Sequence, residues 1–501
     1  MNAIKYFKSL TLPQKLLCFI MAVFGCIFYA TVVGNHYYFR TATCDYAVYN
    51  FAFWDYSHFH ISPVPCWYEF KRGPITFIQD HFSLTLMYFV PIYWLFNWLT
   101  DSYTLLLLQV TMTLISAWAI YRLIKLKTND EWLAVLSVLY YFLLIGHYCS
   151  FNSDYHDLTL ICCIIPVFLL CFELRKYIAA SILFLLLLFA REDISLWLIF
   201  IFITLITWHW KEKKVVGYCI IGILVSIAYF IVLFKVLIPM VETPNIQYTL
   251  FQYTALGATP GEAFIYIIKH PLDTLKLLYV NPLPNHVFDG VKREFYLVYL
   301  ISGGFLLFLR PQYFIWFIPL IAQKMFNDNP VRWSMVGYYG DQVTTILPIT
   351  VFLIIAKLKV KKVQYSLSIL VCILALFITG YMMNSNNRAI YWDSSLKENI
   401  FNSKFYHPAY DAAKIHIDLK LIPSNAKVCA SESILPHLAQ RMCGYEFPDV
   451  EDAEYLAVFT YHDYYMTDAR TYSEKLNSYI LNPSWKIIEY DPPFLLMKKI
   501  Q

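Results

Sequence analysis

Leu16–Val33 reads LLCFIMAVFGCIFYATVV, and Tyr37–Asp80 after it reads YYFRTATCDYAVYNFAFWDYSHFHISPVPCWYEFKRGPITFIQD. The first stretch carries no charge and is long enough for a helix to cross hydrocarbon. The second places an acid, Asp45, a few residues beyond that span, among Phe39, Tyr46, Tyr49, Phe51, Phe53 and Trp54. An ionisable residue at the lip of a bilayer is a functional hypothesis by default. The bland alternative is that Asp45 only caps the helix that follows it, AVYNFAFWDY. The first reading makes Asp45 a chemical centre and the membrane spans its mounting.

Outward from that stretch, the composition is that of a polytopic membrane protein. Of 501 residues, 59% are hydrophobic and only 15% charged, which no soluble globular domain of this size would show. The net charge of +4 suggests no nucleic-acid partner. Lys5, Lys8 and Lys15 precede the first span without a cleavage site after it, so it reads as an uncleaved helix with the N-terminus inside.

The basic clusters in the later short loops then fix the parity. His81–Leu99 contains Pro91 and ends without a basic anchor, whereas the next run ends at Arg122, Lys125 and Lys127. His81–Leu99 is therefore expected to be broken by Pro91 and to lie along the outer surface as an amphipathic or re-entrant helix. Spans follow at 103–124, 132–149, 158–174, 177–190, 194–208, 215–240, 295–309, 313–325, 343–356 and 367–383. That predicts about eleven spans, each roughly 20 residues long. The expected plan is a transmembrane domain, 1–383, with exported loops at 37–102 and 241–294, the latter holding an amphipathic helix at Gly261–Leu278.

After residue 383 the composition turns soluble. Short apolar runs at 427–431, 455–459, 486–490 and 494–499 alternate with helical patterns, predicting a small exported α/β domain over 384–501. Cys44 and Cys66 share the first loop, and Cys429 and Cys443 share this domain; either pair suits a disulfide in an oxidising compartment, but spacing does not establish one.

Isolated polar residues gather on the predicted outer side: Asp45, Asp80, His81, Asp154, His156, Arg191, Glu192, Asp193, Tyr338 and Tyr339 among them. Charges near hydrocarbon are costly and line cavities or pair, so one-sided clustering predicts a single outer pocket. A transporter would instead concentrate polar groups near the midplane in matched halves, and neither is visible. Arg191 lies outside against the positive-inside bias and asks for a partner, either the adjacent acids or a lipid-linked phosphate. Tyr338 and Tyr339 read equally well as interfacial aromatics or as hydroxyl donors. His81 and His156 read more readily as helix-end histidines than as metal ligands. Asp45, Asp154 and Glu192 are of the type that shares a divalent cation, Mg or Mn, but their spacing is too dispersed to assign one. Loop aromatics (Trp54, Trp67, Tyr68, Tyr248, Phe251, Tyr253) suit sugar stacking or an interfacial belt.

CDYAVYNFAFW, QDHFSLTLMYFVPIYWLF with TLLLLQ, SDYHDLTL, REDISL and GYYGDQVTTILPITVFLI occur in that order, and IPSNAKVCASESILPHLAQR (422–441) lies in the tail. This ordered set resembles the bacterial membrane-protein family known as domain of unknown function 2079, from about residue 40 to the end. That family looks like a branch of the GT-C glycosyltransferases, which take sugars from polyprenyl-phosphate donors on the exported side of the membrane. The resemblance implies a GT-C-like fold in the bacterial inner membrane, with the N-terminus cytoplasmic and the C-terminal domain exported. It also implies Asp45 as catalytic base or metal ligand.

The implied donor phosphate ligands are Arg191, Tyr338 and Tyr339. Asp80, His81, Asp154, His156, Glu192 and Asp193 are the residues implied to orient or bind substrate. The implied partners are a polyprenyl-phosphate sugar, a glycan, lipid or protein acceptor, and membrane lipids. Two departures touch geometry: Asp157 stands where the family pattern has proline, and Tyr338-Tyr339-Gly340 lacks its histidine. The rival classes are a transporter or flippase of a lipid-linked glycan or small molecule, and a membrane-anchored binding module acting through 384–501.

Overall fold

Among the described residues of the computed structural model, five helices are long and apolar enough to cross a bilayer: Leu12–Tyr37, a stretch within Thr85–Thr128, Lys213–Val241, Pro330–Ala356 and Lys361–Asn384. Glu131–Leu143 and Ile145–Asn152, bent by 44° at their junction, make a sixth when counted as one span. Tyr177–Ala190 and Ile194–His209 are apolar but shorter. The chain is a helical membrane protein with a small C-terminal sheet. The described residues are 9–67, 74–242, 251–385, 389, 399–463 and 468–500, so Lys5, Lys8, Tyr68 and Tyr248 lie outside them.

Several expected boundaries shift for identifiable reasons. Helix Thr85–Thr100 runs through Pro91 rather than breaking there. It stops instead at Asp101, whose φ of +47° cannot continue a helix. The segment 295–309, expected as one span, divides into Val291–Ile301 and a 3-10 turn, Gly304–Leu309. Gly303 makes the break at φ +127°, a backbone open to glycine alone. The segment 313–325 likewise divides into a 3-10 turn, Pro311–Phe317, and helix Ile318–Met325, with Pro319 in its first turn. The expected helix at Gly261–Leu278 is interrupted at Pro271, giving Pro260–Lys269 and Pro271–Leu277.

The chain forms two compact units. The first comprises residues 1–28, 109–152 and 157–399. Its centre is helix Asp341–Ala356, whose apolar side chains are buried nearly all round. It packs on Glu131–Leu143 and Asp157–Glu173. Lys213–Val241 is the opposite case, apolar yet only 17% buried, as a lipid-facing helix should be. The helix ends that carry the basic clusters meet in ion pairs: Lys127–Glu173 at 2.8 Å, His209–Glu173 at 2.9 Å and Lys361–Asp130 at 2.7 Å. Asp130 also caps its helix through the amides of Trp132 and Leu133.

The second unit comprises residues 29–108, 153–156 and 400–501. Its five-stranded sheet has the order β2-β1-β3-β5-β4, with β1 Val428–Ala430, β2 Gly444–Glu446, β3 Tyr455–Phe459, β4 Trp485–Asp491 and β5 Phe494–Lys499. Strands β2, β1 and β3 are parallel, and β5 and β4 add antiparallel. Four strands lie where the apolar runs predict them; β2 is only three residues long and leaves no pattern. Cys429, Leu456, Val458, Leu495 and Met497 form the core with Tyr472 and Leu476 of helix Ala469–Ile480. All twelve cysteines are free thiols, so neither Cys44–Cys66 nor Cys429–Cys443 is bridged.

A histidine cluster ties the first loop to this sheet domain. The rings of His36 and His437 stack at 3.8 Å, and His416 stands 5.1 Å from His437. His36 is held by Thr41 Oγ1 at 2.8 Å and Ser102 Oγ at 2.9 Å. Burial, and then the neighbouring histidines, hold His437 well below the ordinary value of 6.5. It is thus neutral when folded and takes up a proton on unfolding. Its contribution is complete above pH 6.5 and is lost as pH falls below it toward the folded value. The group adds a slope of about 1.4 kcal/mol per pH unit in that window. Thermal melts of the detergent-solubilised protein should therefore fall between pH 6.5 and 5, and His437→Gln should flatten the decline.

Candidate functional site

Asp45 sits in a π-helical turn, Thr43–Ala47, that leads directly into helix Val48–Ser57. Such turns widen the backbone and re-aim a side chain, and they occur often at functional positions. The turn begins at Ala42, which has no side chain to cap it. The cap comes from elsewhere in the unit: Asp154 Oδ2 accepts the Ala42 N–H at 2.8 Å. Asp154 is buried and holds φ +63°, a conformation that Asp tolerates better than most residues. Asp154 thus anchors the start of the Asp45 turn, while the N-cap of the helix that follows is Ala47.

His156 Nε2 lies 3.4 Å from Asp45 Oδ1, the histidine 3% exposed and the acid 48%. A carboxylate that is open to solvent on one side and faces a buried imidazole on the other is well placed to exchange protons. Tyr49 fixes the imidazole, its ring edge-on to His156 at 5.6 Å and to Tyr155 at 5.1 Å. Tyr49 also meets Phe77 at 5.2 Å, and Phe77 meets His81 at 6.0 Å. His81 in turn pairs with Asp80 at 3.4 Å. A run of aromatic contacts therefore joins four predicted residues, Asp45, His156, His81 and Asp80, within one unit.

Removing the cap acceptor should be costly in a way the conservative variant is not. Asp154→Ala should lower stability by about 1–3 kcal/mol, through the lost cap and a φ that alanine resists. Asp154→Asn keeps an acceptor and tolerates that φ, so its melting temperature should stay near wild type.

The parallel edge of the sheet domain brings acids that sequence reading missed. Glu432 follows β1, Glu446 ends β2 and Asp463 follows β3, all at the carboxyl ends of parallel strands, where α/β sheets place ligands. Thr43 Oγ1 donates to the Glu432 carbonyl at 2.7 Å, which sets this edge against the Asp45 turn. Burial, then Glu432 and Asp463, push the Glu446 carboxyl well above the carboxylate range. Burial, then Asp45 and Glu432, push the Cys44 thiol well up, so it is no nucleophile. The signal available in the sequence was the position of Glu432 just beyond a predicted strand.

Arg191, Glu192, Asp193, Tyr338 and Tyr339 belong to the other unit. Arg191 Nε lies 3.5 Å from Glu192 Oε1 and 3.2 Å from Asp193 Oδ1, so the guanidinium meets both adjacent acids. Asp193 also accepts from Gln323 Nε2. Burial pushes the Glu192 carboxyl up to about 7 against the opposing pull of Arg191. Tyr338 and Tyr339 occupy a 3-10 turn, Gly337–Gly340, with their hydroxyls 3.1 Å apart. The Tyr339 carbonyl receives the buried Lys324 ammonium at 2.6 Å. Among the described residues no three His, Cys, Asp or Glu side chains converge as a metal-holding group.

The family model described as "Predicted membrane protein (DUF2079)" matches residues 35–484. The chain belongs to that family. The match takes in both units, the Asp45 turn, the SDYHD and REDISL motifs and most of the sheet domain. No curated protein matches the chain.

Proposed function

We propose that this DUF2079 protein is an integral-membrane glycosyltransferase of GT-C type, built on about eleven spans and working at the outer face of a bacterial inner membrane. In this reading the N-terminus is cytoplasmic and the sheet domain exported. The donor is a sugar on polyprenyl phosphate. The observation that carries the reading is the half-exposed Asp45 carboxylate, aimed by a π turn, capped by Asp154 and backed by buried His156.

Asp45 takes the proton of an acceptor hydroxyl as that oxygen attacks the anomeric carbon. The new glycosidic bond forms as the bond to phosphate breaks, and polyprenyl phosphate leaves with the electron pair. No covalent intermediate is required, so the anomeric configuration inverts. Arg191, with Tyr338 and Tyr339 as hydroxyl donors, is proposed separately as a phosphate ligand of the first unit. Mg or Mn is not needed for any of these steps.

The test is a transfer assay in membranes containing the overproduced chain. It uses polyprenyl-phosphate donors carrying radiolabelled hexoses or pentoses and measures label in new glycosidic linkage. Label crossing the bilayer without any new covalent product would replace this reading with a transporter.

A further inference from the structure

A cavity of about 480 Å³ opens in the second unit between the Asp101–Tyr103 turn, helix Ala412–Leu419 and residues 437–441. Its size is that of a small-molecule site. The wall is rigid because its long polar side chains are already engaged. Arg441 donates to the carbonyls of Leu438 at 2.7 Å, Ala426 at 3.0 Å and Pro423 at 3.3 Å. Gln440 is clamped by Asn50 and Asn97, each at 2.9 Å.

Different groups are left to meet a ligand. His437 has a buried Nε2 with no hydrogen-bond partner among the described residues. Asp101 stands at the cavity in a backbone of φ +47°, ψ −134°, a strained conformation of the kind that collects at ligand sites. Tyr103 and the stacked pair Tyr37–His416, 4.9 Å apart, supply ring surface, and Lys420 stands among the lining residues.

This set discriminates between ligand classes. A phosphate wants a guanidinium fork and no facing carboxylate; here Arg441 Nε and Nη1 are held by backbone carbonyls, and the Asp101 carboxylate already answers its charge. A purely apolar ligand would leave the buried His437 Nε2 without a partner. A polyhydroxylated ring satisfies both kinds of wall: hydroxyls donate to Asp101 and His437, and the C–H face lies on the aromatic rings. We propose that this cavity binds a saccharide unit of the acceptor. The acceptor is then a glycan rather than a bare lipid or peptide.

The cavity also communicates with the candidate base. Its Ser102 carbonyl receives the hydroxyl of Tyr46, the residue next to Asp45. Ser102 Oγ meets His36, which stacks on His437. A sugar seated there would press on the turn that aims Asp45.

The proposal rests on the transferase reading only for the word acceptor; saccharide binding itself is measured without catalysis. The full chain in detergent is examined by saturation-transfer NMR with methyl β-D-glucoside, methyl α-D-mannoside and N-acetylglucosamine, and by phosphorus line width with inorganic phosphate. At least one of the three sugars should receive saturation, phosphate should not broaden, and Asp101→Gly should weaken the sugar at least tenfold. Glycine suits φ +47°, so that variant relieves strain instead of adding it. No saturation of any sugar, phosphate binding in place of sugar, or sugar binding unchanged in Asp101→Gly would each overturn the proposal. Sugar binding by a wild-type chain that shows no transfer activity with any donor would sink the transferase reading and leave this site standing. Transfer activity with no sugar binding would do the reverse.

Discussion

Asp45→Asn is expected to reduce sugar transfer by about 10²–10⁴-fold while leaving the protein folded and in the membrane. That loss corresponds to about 3–5 kcal/mol of barrier, the full contribution of a positioned general base. The amide keeps the size of the carboxyl and still faces His156, but it cannot accept a proton. Stability should change little, because the side chain is half exposed and Asp154, not Asp45, holds the Ala42 amide. The comparison is made in membranes normalised for inserted protein, with Asp154→Asn as a control for the turn. Near-wild-type transfer by a normally inserted Asp45→Asn protein would remove Asp45 from the chemistry.

Lys292→Met should produce the largest loss of stability among these variants, about 3–5 kcal/mol. Lys292 opens helix Val291–Ile301 and is 2% exposed, yet its ammonium is fully used. It donates to the carbonyls of Leu277 at 2.6 Å, Val280 at 2.9 Å and Met325 at 2.7 Å. It also lies 4.3 Å over the ring of Trp333. Burial brings its pKa down to about 8, so it remains charged at neutral pH. Methionine fills similar space but strands the buried Met325 carbonyl, loosens two partly buried ones and gives up the cation–ring contact; a stranded buried carbonyl alone costs about 1–3 kcal/mol. The melting temperature should drop by several degrees, and limited proteolysis should cut near 277–292 before any other described loop. A Lys292→Met protein with unchanged melting and no new cleavage would show that these carbonyls find water instead.

Each prediction rests on a contact between residues far apart in sequence, and that is where sequence reading thinned out. Asp45 was legible because an acid among aromatics at a span end is unusual. Its support was only partly so: Asp154 and His156 were visible as polar residues on the same predicted side. Asp154 reaches back 112 positions to the Ala42 amide, and no local pattern encodes that bond. Glu446 was invisible, ending a strand of three residues; Lys292 fell in the exported loop 241–294, and Lys324 lay within the expected span 313–325. Arg191 was legible as a misplaced positive charge, but its pairing with both neighbouring acids needed coordinates.

The sequence alone determined what local chemistry controls. Apolar runs of spanning length dictate membrane helices, because unsatisfied backbone groups are too costly in hydrocarbon for other structures. Beyond residue 384, alternating apolar runs give four of the five strands of the C-terminal sheet. Tertiary structure decided the rest. It stopped helix Thr85–Thr100 at Asp101 rather than at Pro91 and broke two expected spans where Gly303 and the prolines could not sustain a helix. It also gathered residues 29–108, 153–156 and 400–501 into one unit. Hydropathy depends on neighbours in the chain, whereas the Asp45 turn depends on a cap, an imidazole and an acidic strand edge that only folding brings together.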